Sequence, residues 1–85
     1  MTEEIKKLLL DKIKIIGLKQ TMIAINDGLV ERVILAADAD EQFRERVETL
    51  CKRHKIPVHP VPSRAGLGAE CGIDVPAGVA AILRG

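Results

Sequence analysis

The sequence predicts a three-layer α/β/α sandwich around a four-stranded mixed sheet. Two observations carry that expectation. Stretches whose apolar residues recur at helical spacing alternate with short apolar runs along the whole chain, and one of those runs, Val33 to Ala37, is apolar at every position. Strands separated by helices need crossover connections, and a strand without polar alternation is one buried on both faces. No Ser-rich linker, internal repeat or low-complexity stretch breaks the alternation, so residues 1–85 are expected to form one domain.

The elements follow in order. Glu3 to Leu10 places Ile5, Leu8 and Leu9 on one helical face, and the β-branched run Ile13 to Ile16 follows as a strand that Gly17 breaks. From Leu18 the spacing is helical again, with Leu18, Met22, Ile25 and Leu29 on one stripe. Asn26-Asp27-Gly28 supplies the stop, because glycine accepts the left-handed conformation that closes a helix. Val33 to Ala37 is the expected central strand. Asp40 caps a third helix whose stripe is Phe43, Val47, Leu50, Cys51 and His54, and Pro57 ends it. Val58 to Val61 is a strand between prolines, Ser63 caps a short fourth helix, and Val79 to Leu83 is a last buried strand.

Composition narrows the function classes. With 47% hydrophobic and 29% charged residues the chain has an ordinary globular composition. Thirteen Lys and Arg against 12 Asp and Glu leave a formal charge of +1, which by itself argues neither for nor against a polyanionic partner. The distribution is uneven. Lys12, Lys14 and Lys19 are the only charges from Lys12 to Gln20, and Lys52, Arg53, Lys55 and Arg64 the only ones from Lys52 to Arg64, which predicts a locally basic face. No apolar run is long enough to span a membrane, and Glu3 and Glu4 stand where a secretory signal carries bare positive charge, so a cytoplasmic protein without a membrane partner is expected. Phe43 is the single aromatic, which excludes the base-stacking platforms of RRM and OB domains.

The glycine-rich stretch RAGLGAECGIDVP (Arg64–Pro76) invites comparison with a dinucleotide fingerprint, which needs glycines at its first, third and sixth positions. Gly66 and Gly68 fit, but Cys71 holds the sixth position and Gly72 arrives one residue late. The favoured reading is close packing of a short helix at Gly66 and Gly68, with Gly72 as its left-handed terminator. Cys51, His54, His59 and Cys71 can be written as a metal set, yet they lack the close pairs that zinc sites use, so packed thiols and ordinary histidines are expected. Asp38, Asp40 and Glu41 could hold magnesium; at a strand-to-helix junction they are read instead as a cap and its favourable interaction with the helix dipole. No local set of nucleophile, base and orienting acid is recognisable, so neither an enzyme nor a metal or organic cofactor is expected.

Two stretches, IIGLKQTMIAINDG (Ile15–Gly28) and VPSRAGLGAECGIDVPAGVAAI (Val61–Ile82), together with AADADEQ (Ala36–Gln42), carry a resemblance over nearly the whole chain. They resemble the kink-turn RNA-binding ribosomal protein family of the L-seven-Ae type, most closely its small bacterial, YbxF-like members. The resemblance implies an α/β/α sandwich and an RNA site in two parts. The turn Gly17, Leu18, Lys19, Gln20 would enter the groove of the bent RNA and read tandem sheared G·A pairs, with Lys19 and Gln20 in place of the archaeal Asn and Glu. The loop Ile73, Asp74, Val75, Pro76 would lay small apolar groups against nucleotides extruded from a three-nucleotide bulge. The implied partner is structured RNA containing a kink-turn, ribosomal RNA among the candidates, and no DNA is expected. Three positions depart from the family: Ile23 stands where Lys is usual, Leu18 replaces a smaller Ala or Thr, and Pro76 stiffens a loop that often has Ala or Gly. Some relatives of this architecture bind proteins, so the alternative is a protein-interaction module on the same fold with little RNA affinity.

Overall fold

The computed structural model describes residues 1–85 and orders them as α1 (Glu3–Asp11), β1 (Lys14–Ile16), α2 (Leu18–Asn26), β2 (Val30–Ala36), α3 (Glu41–Arg53), β3 (Val58–Val61), α4 (Arg64–Glu70) and β4 (Val79–Leu83). The sheet order is β1-β4-β2-β3. β4 runs antiparallel to both neighbours while β2 and β3 are parallel, so the sheet is mixed, as the sequence predicted. Alternate residues of the two central strands feed two separate cores. Ile34, Ala36, Ala80 and Ile82 pack with Ile5 and Leu9 of α1 and Leu67 of α4. Val33, Leu35, Val79 and Ala81 pack on the other face with Ala24 and Ile25 of α2 and with Val47, Leu50 and Cys51 of α3. Those are the three layers.

The helix starts have local causes. Thr2 accepts a hydrogen bond from the Ile5 amide at 3.2 Å, Asp40 from Gln42 at 3.1 Å, and Ser63 from Gly66 at 3.0 Å. Each satisfies one of the amides that a helix leaves unpaired at its N-terminus. The ends share one closure. Past Gly28 and Gly72, both with positive φ, the amides of Leu29 and Ile73 donate to the carbonyls of Ala24 and Gly68 at 3.1 Å. α3 closes in the same way at a residue that is not glycine: Lys55 takes φ +57°, and Ile56 donates to Cys51 at 2.8 Å. The helix therefore stops by its own cap, before Pro57 is reached.

Several expectations are corrected at element edges. β2 begins at Val30, which is fully buried, three residues earlier than the apolar run suggested. The polar pair Glu31 and Arg32 hid it. The register shifts between Val30 and Arg32, an irregularity that accommodates the extra residue, and Arg32 pairs with Glu4 at 3.8 Å and Glu31 at 3.9 Å. Ala37 falls outside the strand and is exposed. Leu29 lies beyond the end of α2 and is half-exposed, Ile13 is exposed beside β1, and His54 is exposed at the end of α3. Phe43 is half-buried and touches both cores. Its ring occupies the space a Cβ on Gly78 would need, 2.7 Å away.

The four residues written as a possible metal set are not brought together. Cys51 is buried in the α2/α3 core, whereas Cys71 packs against the α1/α4 core on the other side of the sheet. Both are free thiols. Burial pushes the Cys51 thiol up to about 11, with the carboxylate of Glu48 adding to the effect. The folded state thus favours the protonated thiol. Its contribution to stability is complete below the unfolded value of 9.0 and is lost as pH rises through the folded one. Urea unfolding should show wild type losing more stability between pH 9 and 11 than Cys51→Ala does; parallel losses would show that the thiol stays solvated.

Candidate nucleic-acid interface

α2 is the helix whose start has no side-chain cap. Gly17 occupies the cap position with φ +106°, a conformation that L side chains rarely adopt. Its amide donates to the Val79 carbonyl at 3.1 Å and its carbonyl accepts from Thr21 at 3.0 Å. No acid stands in the first turn. The first amides of α2 and the positive end of its dipole are therefore left for an outside acceptor, which makes this turn suited to an anion or a base edge. Lys19 and Gln20 are exposed there, Leu18 is half-buried against the α2/α3 core, and Ile23, one turn on, is 48% exposed.

The loop Ile73–Pro76 is built on α4. Ile73 is half-buried against the α1/α4 core and acts as the anchor, while Asp74, Val75 and Pro76 are exposed. Val75, at 62% exposure, is the apolar group the loop presents. Gly68 is where the loop rests on the helix: a Cβ there would overlap the Val75 carbonyl oxygen and lie 3.3 Å from the Ala77 amide nitrogen. The close packing expected of two glycines belongs to Gly68. At Gly66 the nearest atom to a Cβ is the Ser63 hydroxyl, which caps the same helix.

The two segments lie at one end of the sheet. Gly17 follows the last residue of β1, and its bond to Val79 ties it to the first residue of β4, which the loop precedes by two residues. Ala36, at the same end of β2, donates to the Gly78 carbonyl at 2.9 Å. The turn after β2 contributes Asp38 and Asp40. Asp40 caps α3, but Asp38 does not join it: its Oδ1 accepts from the Arg64 amide at 2.8 Å and lies 3.6 Å from the Arg64 Nε. Asp38 thus holds the start of α4 rather than of α3. Sequence reading missed it because the partner is distant in the chain and no local pattern marks it.

The basic runs do not form one face. Lys52, Arg53 and Lys55 sit at the end of α3, ahead of β3, whereas Arg64 follows β3 at its other end. Lys52 and Arg53 complement the C-terminal dipole of α3. Lys12 pairs with Glu31 at 4.0 Å, and Lys19 alone of the N-terminal lysines lies in the first turn of α2.

Comparison with known proteins adds an independent line. The model of the Ribosomal protein L7Ae/L30e/S12e/Gadd45 family matches residues 1–85. The chain is 41% identical over 70 residues to RNA-binding protein GK0100 of Geobacillus kaustophilus (strain HTA426), covering 82% of this chain and 85% of that protein. It is 41% identical, with the same coverage, to RNA-binding protein YbxF of Geobacillus stearothermophilus. Among solved structures, the 15.5kD RNA binding protein of Giardia lamblia superposes with a TM-score of 0.86 at 27% identity, covering all of this chain and 78% of that one.

Because Gly68 has no room for a methyl group, Gly68→Ala should lower stability by about 1–3 kcal/mol and shift the amide resonances of Val75 and Ala77. Gly66→Ala should leave those two resonances in place, and heteronuclear NMR of the two variants checks the contrast.

Proposed function

The chain belongs to the Ribosomal protein L7Ae/L30e/S12e/Gadd45 family, and we propose that it is a non-enzymatic, cytoplasmic protein that binds structured RNA and stabilises its kink-turn conformation. The observation that carries this reading is the uncapped start of α2 at the same end of the sheet as the loop Ile73–Pro76, which presents Val75. In this reading residues 1–85 act as one unit. Gly17, Leu18, Lys19 and Gln20 face the sheared G·A pairs, where Lys19 and Gln20 donate to guanine O6 or N7. The amides of the same turn take a phosphate or a base acceptor. Asp74, Val75 and Pro76 face the extruded nucleotides, and Ile73 fixes the loop from below.

Recognition then works by population shift. An RNA that is flexible alone offers the G·A groove and the extruded bases together only when bent, so a protein that contacts both favours the bent form. Ile23 makes an apolar contact where a lysine would meet a phosphate. Its exposure supports the second reading, a protein-interaction module, in which Leu18, Ile23 and Val75 meet an apolar partner. Salt separates the two, since phosphate contacts weaken steeply as salt rises and an apolar interface does not.

Fluorescence anisotropy with a labelled kink-turn RNA, beside a control whose G·A pairs are made Watson–Crick, tests the reading at physiological salt with magnesium. Tight binding to the kink-turn alone is expected; equal affinity for both RNAs removes the proposal. Lys19→Ala and Gln20→Ala should each cost about 1–3 kcal/mol of discrimination, and the exposed Glu48→Ala on α3 little. Ile23→Lys should raise affinity and steepen the dependence of log K on log salt by about one unit. An unchanged slope would place position 23 away from the RNA backbone.

A further inference from the structure

We propose that Asp38 is a positioning residue for the base-facing loop Ile73–Pro76, an inference that rests on the RNA-binding reading above. α4 has seven residues, too few to hold a helix by itself, so its placement depends on ties to the rest of the fold. Ser63 caps α4 from within its own segment, and Leu67 anchors its buried side. Asp38 does something neither can. It joins the first residue of α4 to the turn after β2, accepting from the Arg64 amide at 2.8 Å with the Arg64 Nε at 3.6 Å.

From Arg64 the connection continues into the loop. The Arg64 carbonyl accepts from the Ala77 amide at 3.0 Å, and Ala77 is buried at the point where the loop enters β4. Two hydrogen bonds through one residue therefore link the Asp38 carboxylate to the loop. The turn carrying Asp38 is itself fixed, since Ala37 donates to Val61 at 2.7 Å and Ala39 to Ala36 at 3.2 Å. Asp40 already caps α3, so the Asp38 carboxylate is not needed there. Its side chain is half-exposed, and an exposed ion pair adds little to global stability. Removing it loosens the direction of α4 and the loop more than it unfolds the protein.

The test is a cycle between protein and RNA variants of the full chain. Asp38→Ala should weaken binding to the kink-turn RNA about tenfold, yet weaken binding to the same RNA with abasic bulge nucleotides by less than about threefold, because the loop then has no base to meet. Asp38→Asn keeps an acceptor for the Arg64 amide and should recover most of the loss. Equal losses on both RNAs, or none on either, overturn the proposal. Amide hydrogen exchange gives a readout without RNA: the Ala77 amide should exchange about tenfold faster in Asp38→Ala and close to the wild-type rate in Asp38→Asn. Unchanged exchange in Asp38→Ala overturns the proposal as well. If the wild type does not distinguish a kink-turn from its Watson–Crick control, the RNA-binding reading fails, and the exchange of Ala77 alone decides whether Asp38 positions the loop.

Discussion

β4 is hydrogen-bonded along both edges and buried on both faces, and the rest of the structure is arranged by that confinement. Its residues Val79 to Ile82 are all fully buried, with β1 on one side and β2 on the other. The small pair Ala80 and Ala81 presents little bulk to either helical layer, so α1 and α4 on one face and α2 and α3 on the other can approach the same strand. Because β1 runs antiparallel to β4, the end of one meets the start of the other. The segments that leave and enter there, Gly17 and the loop before Ala77, are brought to one end of the sheet by that pairing.

Capping is unevenly distributed among the helices. α1, α3 and α4 satisfy N-terminal amides with Thr2, Asp40 and Ser63, whereas α2 begins at a glycine whose backbone is turned back to β4. A capping side chain is not accommodated there, because the Gly17 φ of +106° is one that L side chains rarely adopt. Its absence leaves donors and a positive dipole end at the surface, a local rule broken where a ligand can complete it. The loop beside it is treated in the opposite way: Ile73 is sunk against the core, and Gly68 lets the backbone lie against α4. An open helix end and a loop anchored by Ile73 thus lie at the same end of the sheet.

The elements were legible because their causes are local. Apolar spacing located the first three helices and the Ser63 cap the fourth, the left-handed closures at Gly28 and Gly72 follow from glycine, and the caps at Asp40 and Ser63 are short-range hydrogen bonds. Edges were misplaced where a tertiary partner overrode the pattern. Val30 belongs to β2 because β4 pairs with it, and the charged residues between hid that from any count of hydrophobicity. Lys55 ends α3 in a conformation that glycine usually takes, so the sequence pointed past it to Pro57.

By itself the sequence determined the order of helices and strands, the apolar faces to be buried, and, through its resemblance, which segments to examine for RNA contact. Tertiary structure alone decided the strand order β1-β4-β2-β3, the separation of Arg64 from the basic end of α3, the role of Ile73 as an anchor, and the reach of Asp38 to α4. The physical reason is range. Propensity, capping and helical closure act within a few residues and leave marks a reader can follow, whereas strand pairing and the contacts it brings about join residues whose separation in the chain carries no signal.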